Sequence, residues 1–330
     1  MKDKNCDTMT NTQTPRWLTT CLFYNEPWEE FLAEAVKPLT DVTLQAGIAS
    51  NFFFSRHWDR GPHIRLHFKG DVKILETILK PHIRDHFDHY FSSKPSMRLE
   101  PSYPQVFPSE NKWLPNNSLT FMPYNDLERS FPRFLQLDAV TQLLQEAASI
   151  ALNYFKARGA LNAREEAQNL ATKLHFGLMY ASGSNLEEVG KFNAWAYKRW
   201  LDDQSFNATD IHNMQAGYKR LLAIHGAELE SYHTALWELI QKHHDLDDKA
   251  YTNWIVVCSR LFLALNESPA SKTGNYRNQV YFLLKTINNL LGVTGKNEGF
   301  LFFSVANCML PLKYSPVRSQ ENAQSGIPKV

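Results

Sequence analysis

Three observations predict an α+β fold: an N-terminal mixed sheet with helices on one face, followed by a mainly helical C-terminal half. Residues 63–68, His-Ile-Arg-Leu-His-Phe, alternate polar and apolar with the period of a strand that has one buried face. The patterns ahead of residue 95 run strand, helix, strand, strand, helix, an order that layers helices on a sheet. Beyond residue 135 the apolar residues recur at helical spacing.

Residues 16–24 read as the first strand. Trp28, Phe31, Leu32, Ala35, Val36 and Leu39 then follow helical spacing, with Pro38 close to the helix end. The stretch 51–70, NFFFSRHWDRGPHIRLHFKG, is a hairpin that turns through Asp59-Arg60-Gly61-Pro62. Ile64, Leu66 and Phe68 would enter the core, and His63, Arg65 and His67 would line the opposite face. Arg56 and His57 close the preceding strand, so the hairpin gathers two arginines and three histidines. Arginine binds carboxylate or phosphate through a planar fork, which makes this row a candidate anion site. A solvated basic sheet face would carry the same residues.

Asp71 caps a helix bearing Ile74, Leu75, Ile78 and Leu79, which Pro81 kinks or ends. Residues 95–117, rich in Pro, Ser and Asn, are loops with short strands between them. Helices are expected over 137–155, from Asn162 with Glu165, and from Ser184 with Glu187, the last two in capping-box patterns. Further helices cover 210–243, 251–265, 279–291 and 297–308. A composition change near Pro132 divides an α+β subdomain, 15–132, from a mainly helical one, 133–313. Residues 1–14 and 314–330 read as a flexible leader and tail.

Lys and Arg total 35 against 34 Asp and Glu, a net charge of +1, so no global field steers the chain to nucleic acid or membrane. Cys6, Cys21, Cys258 and Cys308 form no CxxC pair, which argues against a disulfide framework or thiolate zinc site and fits a reducing cytoplasm. The leader lacks the apolar core of a signal peptide. The longest apolar runs, 254–265 and 300–312, are too short to span a bilayer. A phosphate-cradling glycine loop, a dinucleotide fingerprint and a nucleophile elbow are all absent from the sequence. His82, His86 and His89, with Asp85, share a helix face and form the rival constellation for a metal. No fourth ligand is signalled, so no metal is expected. His225, Glu228 and His233 make a weaker set and read as surface positions.

The aromatic strand with its arginine, the Asp-Pro turn and His-Ile-Arg-Leu-His-Phe resemble the signature of the C-terminal elimination domain of lantibiotic dehydratases. That domain also occurs free-standing in thiopeptide-type bacteriocin biosynthesis. Trp17-Leu18, Leu22-Phe23-Tyr24 and the helix from Trp28 are similar to its start. The resemblance implies a cofactor-independent enzyme that modifies a ribosomally made precursor peptide. One branch of the family removes glutamate from glutamylated Ser or Thr to leave dehydroamino acids. Another joins two dehydroalanines by formal cycloaddition to build a pyridine ring.

Residue by residue, Arg65 falls on the first Arg of the family's His-Leu-Arg-Leu-Arg pattern, His67 replaces the second, and Arg56 matches the Arg of the aromatic strand. Tyr124, Glu128 and Arg129 partly match a Tyr, acidic, Glu-Arg-Tyr-Gly-Gly element, one residue short and without its glycines. Over 283–290, Lys285 replaces a family His, Leu290 replaces an Arg, and Asn289 is kept. The resemblance thus implies catalytic roles for Arg65, His67, Lys285 and His63. It implies substrate binding by Arg56, His57, Arg129, Tyr124 and Asn289.

Lys285, Asn288 and Asn289, at i, i+3 and i+4, are expected to form one polar stripe, and the resemblance implies that this stripe faces the Arg65–His67 row. The leading expectation is a lyase serving a separate glutamylating dehydratase, with a homodimer also compatible. A pyridine-forming cyclase stays open, as does a non-catalytic protein that binds the precursor peptide.

Overall fold

The computed structural model describes residues 15–103, 108–123, 138–242, 248–267 and 276–310. The chain divides into two compact units, Met1–Pro132 and Arg133–Val330. Among the described residues no helix is long and apolar enough to cross a membrane.

The first unit is built on β1 (Arg16–Phe23), β2 (Asn51–His57), β3 (His63–Gly70) and β4 (Ser118–Phe121), in the spatial order β2-β3-β1-β4. The sheet expected to be mixed is antiparallel along every ladder of these strands. Leu66 sits between Phe54 and Thr20, and this register sends Phe52, Phe54, Ile64, Leu66, Phe68, Leu18 and Leu22 to one face, each at most 2% exposed. Among the described residues of this unit the two long helical stretches are α1, residues 29–45, and α2, residues 72–93. Their aromatic rings meet directly, Phe31 against Phe87 at 5.8 Å and against Phe91 at 6.1 Å. Asp71 caps α2 as expected, its Oδ1 accepting the Ile74 N–H at 3.1 Å.

Neither proline ends its helix. In each case a wide π turn, Leu32–Val36 or Leu75–Leu79, leads into a Lys-Pro pair that opens the next α segment. A proline cannot donate to the carbonyl four residues back, and its ring crowds that carbonyl. The wide turn re-spaces the hydrogen-bond ladder ahead of it and carries the helix through.

The second unit contains α3 (Asp138–Arg158), α4 (Ala160–Ala181), α5 (Leu186–Asp202), α6 (Ala208–Gln241), α7 (Lys249–Glu267), α8 (Tyr276–Leu291) and α9 (Lys296–Met309). Helix α9 packs on α5 and α6, while α7 and α8 pack on α3 and α4. Two helix starts fall elsewhere than the capping patterns suggest. Helix α4 begins at Ala160 behind Gly159, whose φ of 73° breaks the chain there, so Asn162 lies inside the helix. Helix α5 uses Asn185 with Glu188, one residue later than Ser184 with Glu187. Asn is a strong N-cap, and Ser184 is already bonded to the Ser182 hydroxyl at 2.8 Å.

Close helix approach depends on small residues. A methyl group at Gly299 of α9 would stand 2.5 Å from the indole ring of Trp200 in α5, itself fully buried. Gly299→Ala is therefore expected to destabilise the protein by about 1–3 kcal/mol, the usual cost of overpacking. Urea unfolding measures it, and an unchanged midpoint would mean that the helix pair yields without strain.

Candidate functional site

The residues that alternate with the core positions share the second face of the sheet, and antiparallel pairing aligns them in rows. Phe53, His67 and Thr19 form one, Ser55, Arg65, Cys21 and Thr120 the next, and His57, His63, Phe23 and Ser118 the third. His57, His63, Arg65 and His67 are thus brought together. Arg56 is not among them. It pairs with Ile64 on the core face, 5% exposed, where its Nη1 donates to Glu29 Oε1 at 2.9 Å and its guanidinium lies over Trp28. Strand neighbours point to opposite faces, so Arg56 and His57 cannot both join the row. The Arg56–Glu29 pair ties β2 to α1.

Arg65 is the centre of the face. Its Nε donates to His63 Nε2 at 3.1 Å, and its Nη2 is bonded to Asp59 Oδ2. The Gly61 carbonyl lies 2.9 Å from His63 Nδ1 and can only accept, so His63 is the Nδ1–H tautomer with its lone pair turned to Arg65. His67 is 1% exposed, stacks on Phe53 at 4.3 Å, and places Nδ1 2.9 Å from the Thr19 hydroxyl. His57 has 31% of its side chain exposed, with Nε2 2.9 Å from Ser55 Oγ and Nδ1 3.5 Å from Asp59 Oδ1. Ser55 Oγ also lies 3.5 Å from His67 Nε2.

Burial lowers the pKa of all three imidazoles, and the neighbouring Arg65 charge lowers each further. His57 is pushed down to about 4. At neutral pH the face is therefore one guanidinium among neutral imidazoles, where the sequence suggested a row of cations. Cys21, directly opposite Arg65, is held as a thiol because burial raises its pKa more than the arginine lowers it. Ser55, Asp59 and Cys21 carry no signal as single residues. Ser55 and Cys21 become visible once the alternation 53, 55, 57 and the pairing of β1 with β3 are laid side by side, whereas Asp59 lies in the turn outside both strands.

Tyr124 and Arg129, with Glu128, lie outside the described residues. Lys285 and Asn289 belong to α8 of the second unit. The Lys285 side chain is 32% exposed, its Nζ 3.7 Å from Asp203 Oδ2 and 5.5 Å from the Tyr281 ring centre. The expected stripe is split, because Asn288 is 0% exposed and donates to Glu298 Oε1 at 3.2 Å, while Asn289 is half-buried. Burial raises the pKa of Glu298 against the opposing pull of Lys285.

His86 of α2 points its Nε2 at the Ala35 carbonyl, 2.8 Å away. Among the described residues no three His, Cys, Asp or Glu are grouped to hold a metal. His233 is not a surface position: it is 2% exposed beside Phe176, and burial pushes its pKa down to about 4.

The fold of this chain recurs in solved proteins. The chain belongs to the lantibiotic biosynthesis dehydratase C-terminal family, whose pattern matches residues 17–304. Its fold is similar to that of TbtD, the pyridine synthase of thiomuracin biosynthesis, with a TM-score of 0.69 and 16% identity over 89% of this chain and 97% of that one. TsrL matches with a TM-score of 0.58 and 14% identity over 96% and 100% of the two chains. MibB, the tRNA-dependent lantibiotic dehydratase of Microbispora sp. 107891, matches with 0.51 and 16% identity over 94% of this chain and 28% of its own. None of the curated proteins compared is significantly similar in sequence.

Arg56→Met leaves Glu29 as an unpaired buried charge and is expected to cost roughly 3–5 kcal/mol of stability. Activity per folded molecule should hold, and selective loss of activity with an unchanged urea midpoint would return Arg56 to the site. The histidines give a second test. Unfolded imidazoles titrate near 6.5, whereas those of the folded face resist protonation until lower pH. The unfolded chain then binds more protons, so stability present above pH 6.5 is lost as pH falls through the folded values, toward about 4 for His57. His67→Gln should make the decline of thermal midpoint between pH 6.5 and 5 shallower. An identical slope would show that His67 contributes nothing to it.

Proposed function

We propose that the chain is a cytoplasmic tailoring enzyme of ribosomally made peptides, eliminating glutamate from glutamylated Ser or Thr for a separate glutamylating dehydratase. The observation that supports this best is the pairing of a neutral, partly exposed imidazole, His57, with the guanidinium of Arg65 through a shared carboxylate, Asp59. Elimination needs a base for the α-proton and a cation for the departing carboxylate. His57 takes the proton, the Cα–H electron pair becomes the second bond of Cα=Cβ, and the Cβ–O bond breaks. Glutamate leaves with the oxygen and its new negative charge, which Arg65 receives. Among the three imidazoles His57 is favoured because 31% of its side chain is exposed, whereas His63 and His67 are each 1% exposed. Lys285 is the second candidate for the proton step. Arg129, Tyr124 and Asn289 are assigned to holding the glutamyl peptide. No metal or organic cofactor is required by these steps.

One observation favours a second reading, a pyridine-forming cyclase. Arg56 is withdrawn to the core and Arg65 is engaged by Asp59, so the described face offers hydrogen-bond donors more readily than paired anion clamps. The fold likeness to a pyridine synthase is consistent with it.

The deciding experiment is mass spectrometry of the precursor peptide, co-expressed with the glutamylating partner, with and without this protein. Glutamyl adducts that accumulate in its absence and become dehydroamino acids in its presence support elimination. Turnover of a pre-formed dehydroalanine peptide alone would support cyclisation, and no mass change in either assay would leave precursor binding. His57→Ala is expected to slow turnover by about 10²–10⁴-fold, the range for a lost general base. Arg65→Ala should abolish it while lowering stability by about 1 kcal/mol or less. A variant of either that stays active sinks the assignment.

A further inference from the structure

Helix α6 has 34 residues and is about 50 Å long. Its ends are anchored, by Met214 and Tyr218 near the start and by His233, Leu236, Trp237 and Ile240 near the finish, all buried. The middle has no buried residue between Tyr218 and His233. There Ile224 is 73% exposed and Leu221 43%. Residues three, four and seven apart share a helix face, so Gly217, Arg220, Leu221, Ile224, Ala227 and Glu228 form one stripe. An added Cβ at Gly217 would meet nothing within 4 Å, so this stripe has room for a closely approaching partner.

The charges on the stripe say what that partner is. Arg220 lies four residues before Ile224 and Glu228 four residues after, about 6 Å away along the axis on either side. We propose that this face is the contact of a symmetric homodimer, in which α6 of two copies packs antiparallel about Ile224. A twofold axis through Ile224 brings Arg220 level with the partner's Glu228, and the same pair recurs on the other side. Ile224 meets the partner's Ile224, and Leu221 meets the small partner's Ala227. This is the self-complementarity that an isologous contact requires. A uniformly anionic surface, such as nucleic acid or an acidic membrane, would instead be repelled by Glu228, which is 83% exposed even with His225 3.6 Å away. The contact is small and partly polar, so the dimer is expected to dissociate roughly in the micromolar range.

Sedimentation of the full chain across low to high micromolar concentration tests this. The wild type should shift from monomer to dimer. Ile224→Glu should stay monomeric throughout and keep its thermal midpoint at low concentration, because an exposed residue contributes little to the folded monomer. Arg220→Glu should weaken association at least about tenfold, and combining it with Glu228→Arg should restore the constant to within about threefold. A wild type that remains monomeric overturns the proposal. So does a dimer whose constant neither Ile224→Glu nor the charge reversal moves.

Discussion

The sheet of the first unit has little free surface on either side, and that constraint shapes nearly everything else in the unit. On one side Ile64, Leu66 and Phe68 are fully buried; on the other His63 and His67 are 1% exposed and Thr19 and Phe23 hardly more. A polar side chain in such a place must find its hydrogen-bond partners within the protein. His63 finds Gly61 and Arg65, and His67 finds Thr19 and Ser55. The outcome is a wired layer in which the Gly61 carbonyl and the Arg65 Nε–H fix the His63 tautomer.

Wiring of this kind also fixes charge. Three imidazoles packed beside a permanent guanidinium lose their protons more easily, for burial and like charge act in the same direction. A face composed of basic residues therefore carries far less positive charge than its composition suggests. What it holds instead is one basic lone pair on each neutral imidazole, and His57 is the most exposed of the three. Neutral nitrogen beside fixed cation suits proton removal coupled to anion departure better than it suits storage of an anion.

The α+β class, the hairpin and the membership of His63, Arg65 and His67 in one row were legible because a period of two leaves no choice of face once the core residues are known. The same rule, applied to Arg56 and His57, already forbids their sharing a face; grouping them by proximity in the chain ignored it. Other misses have local causes. Pro38 and Pro81 looked like helix ends because a π turn leaves no mark in apolar spacing. Ser184 and Asn185 offer competing caps of similar strength one residue apart, and Asn185 caps the helix while the Ser184 hydroxyl is bonded to Ser182. The Asp203 partner of Lys285 lies 82 positions away, and no periodicity reports contacts of that span.

The hairpin's two arginines differ in how firmly each is held by its carboxylate partner. Each is paired with a carboxylate at hydrogen-bond distance. Arg56 and Glu29 are both 5% exposed, and no incoming anion could displace Glu29 without leaving its charge stranded in the core. Asp59, by contrast, is 60% exposed and Arg65 22%. A pair so open to water is worth about 0–1 kcal/mol, little enough for another carboxylate to compete with it. Asp59 would then act as the occupant of Arg65 between turnovers on the proposed chemistry, yielding to the glutamate carboxylate as the Cβ–O bond breaks. Released from Arg65, it would remain beside His57 Nδ1 and stabilise the imidazolium formed there, so that the proton and the leaving anion are each met by the opposite charge.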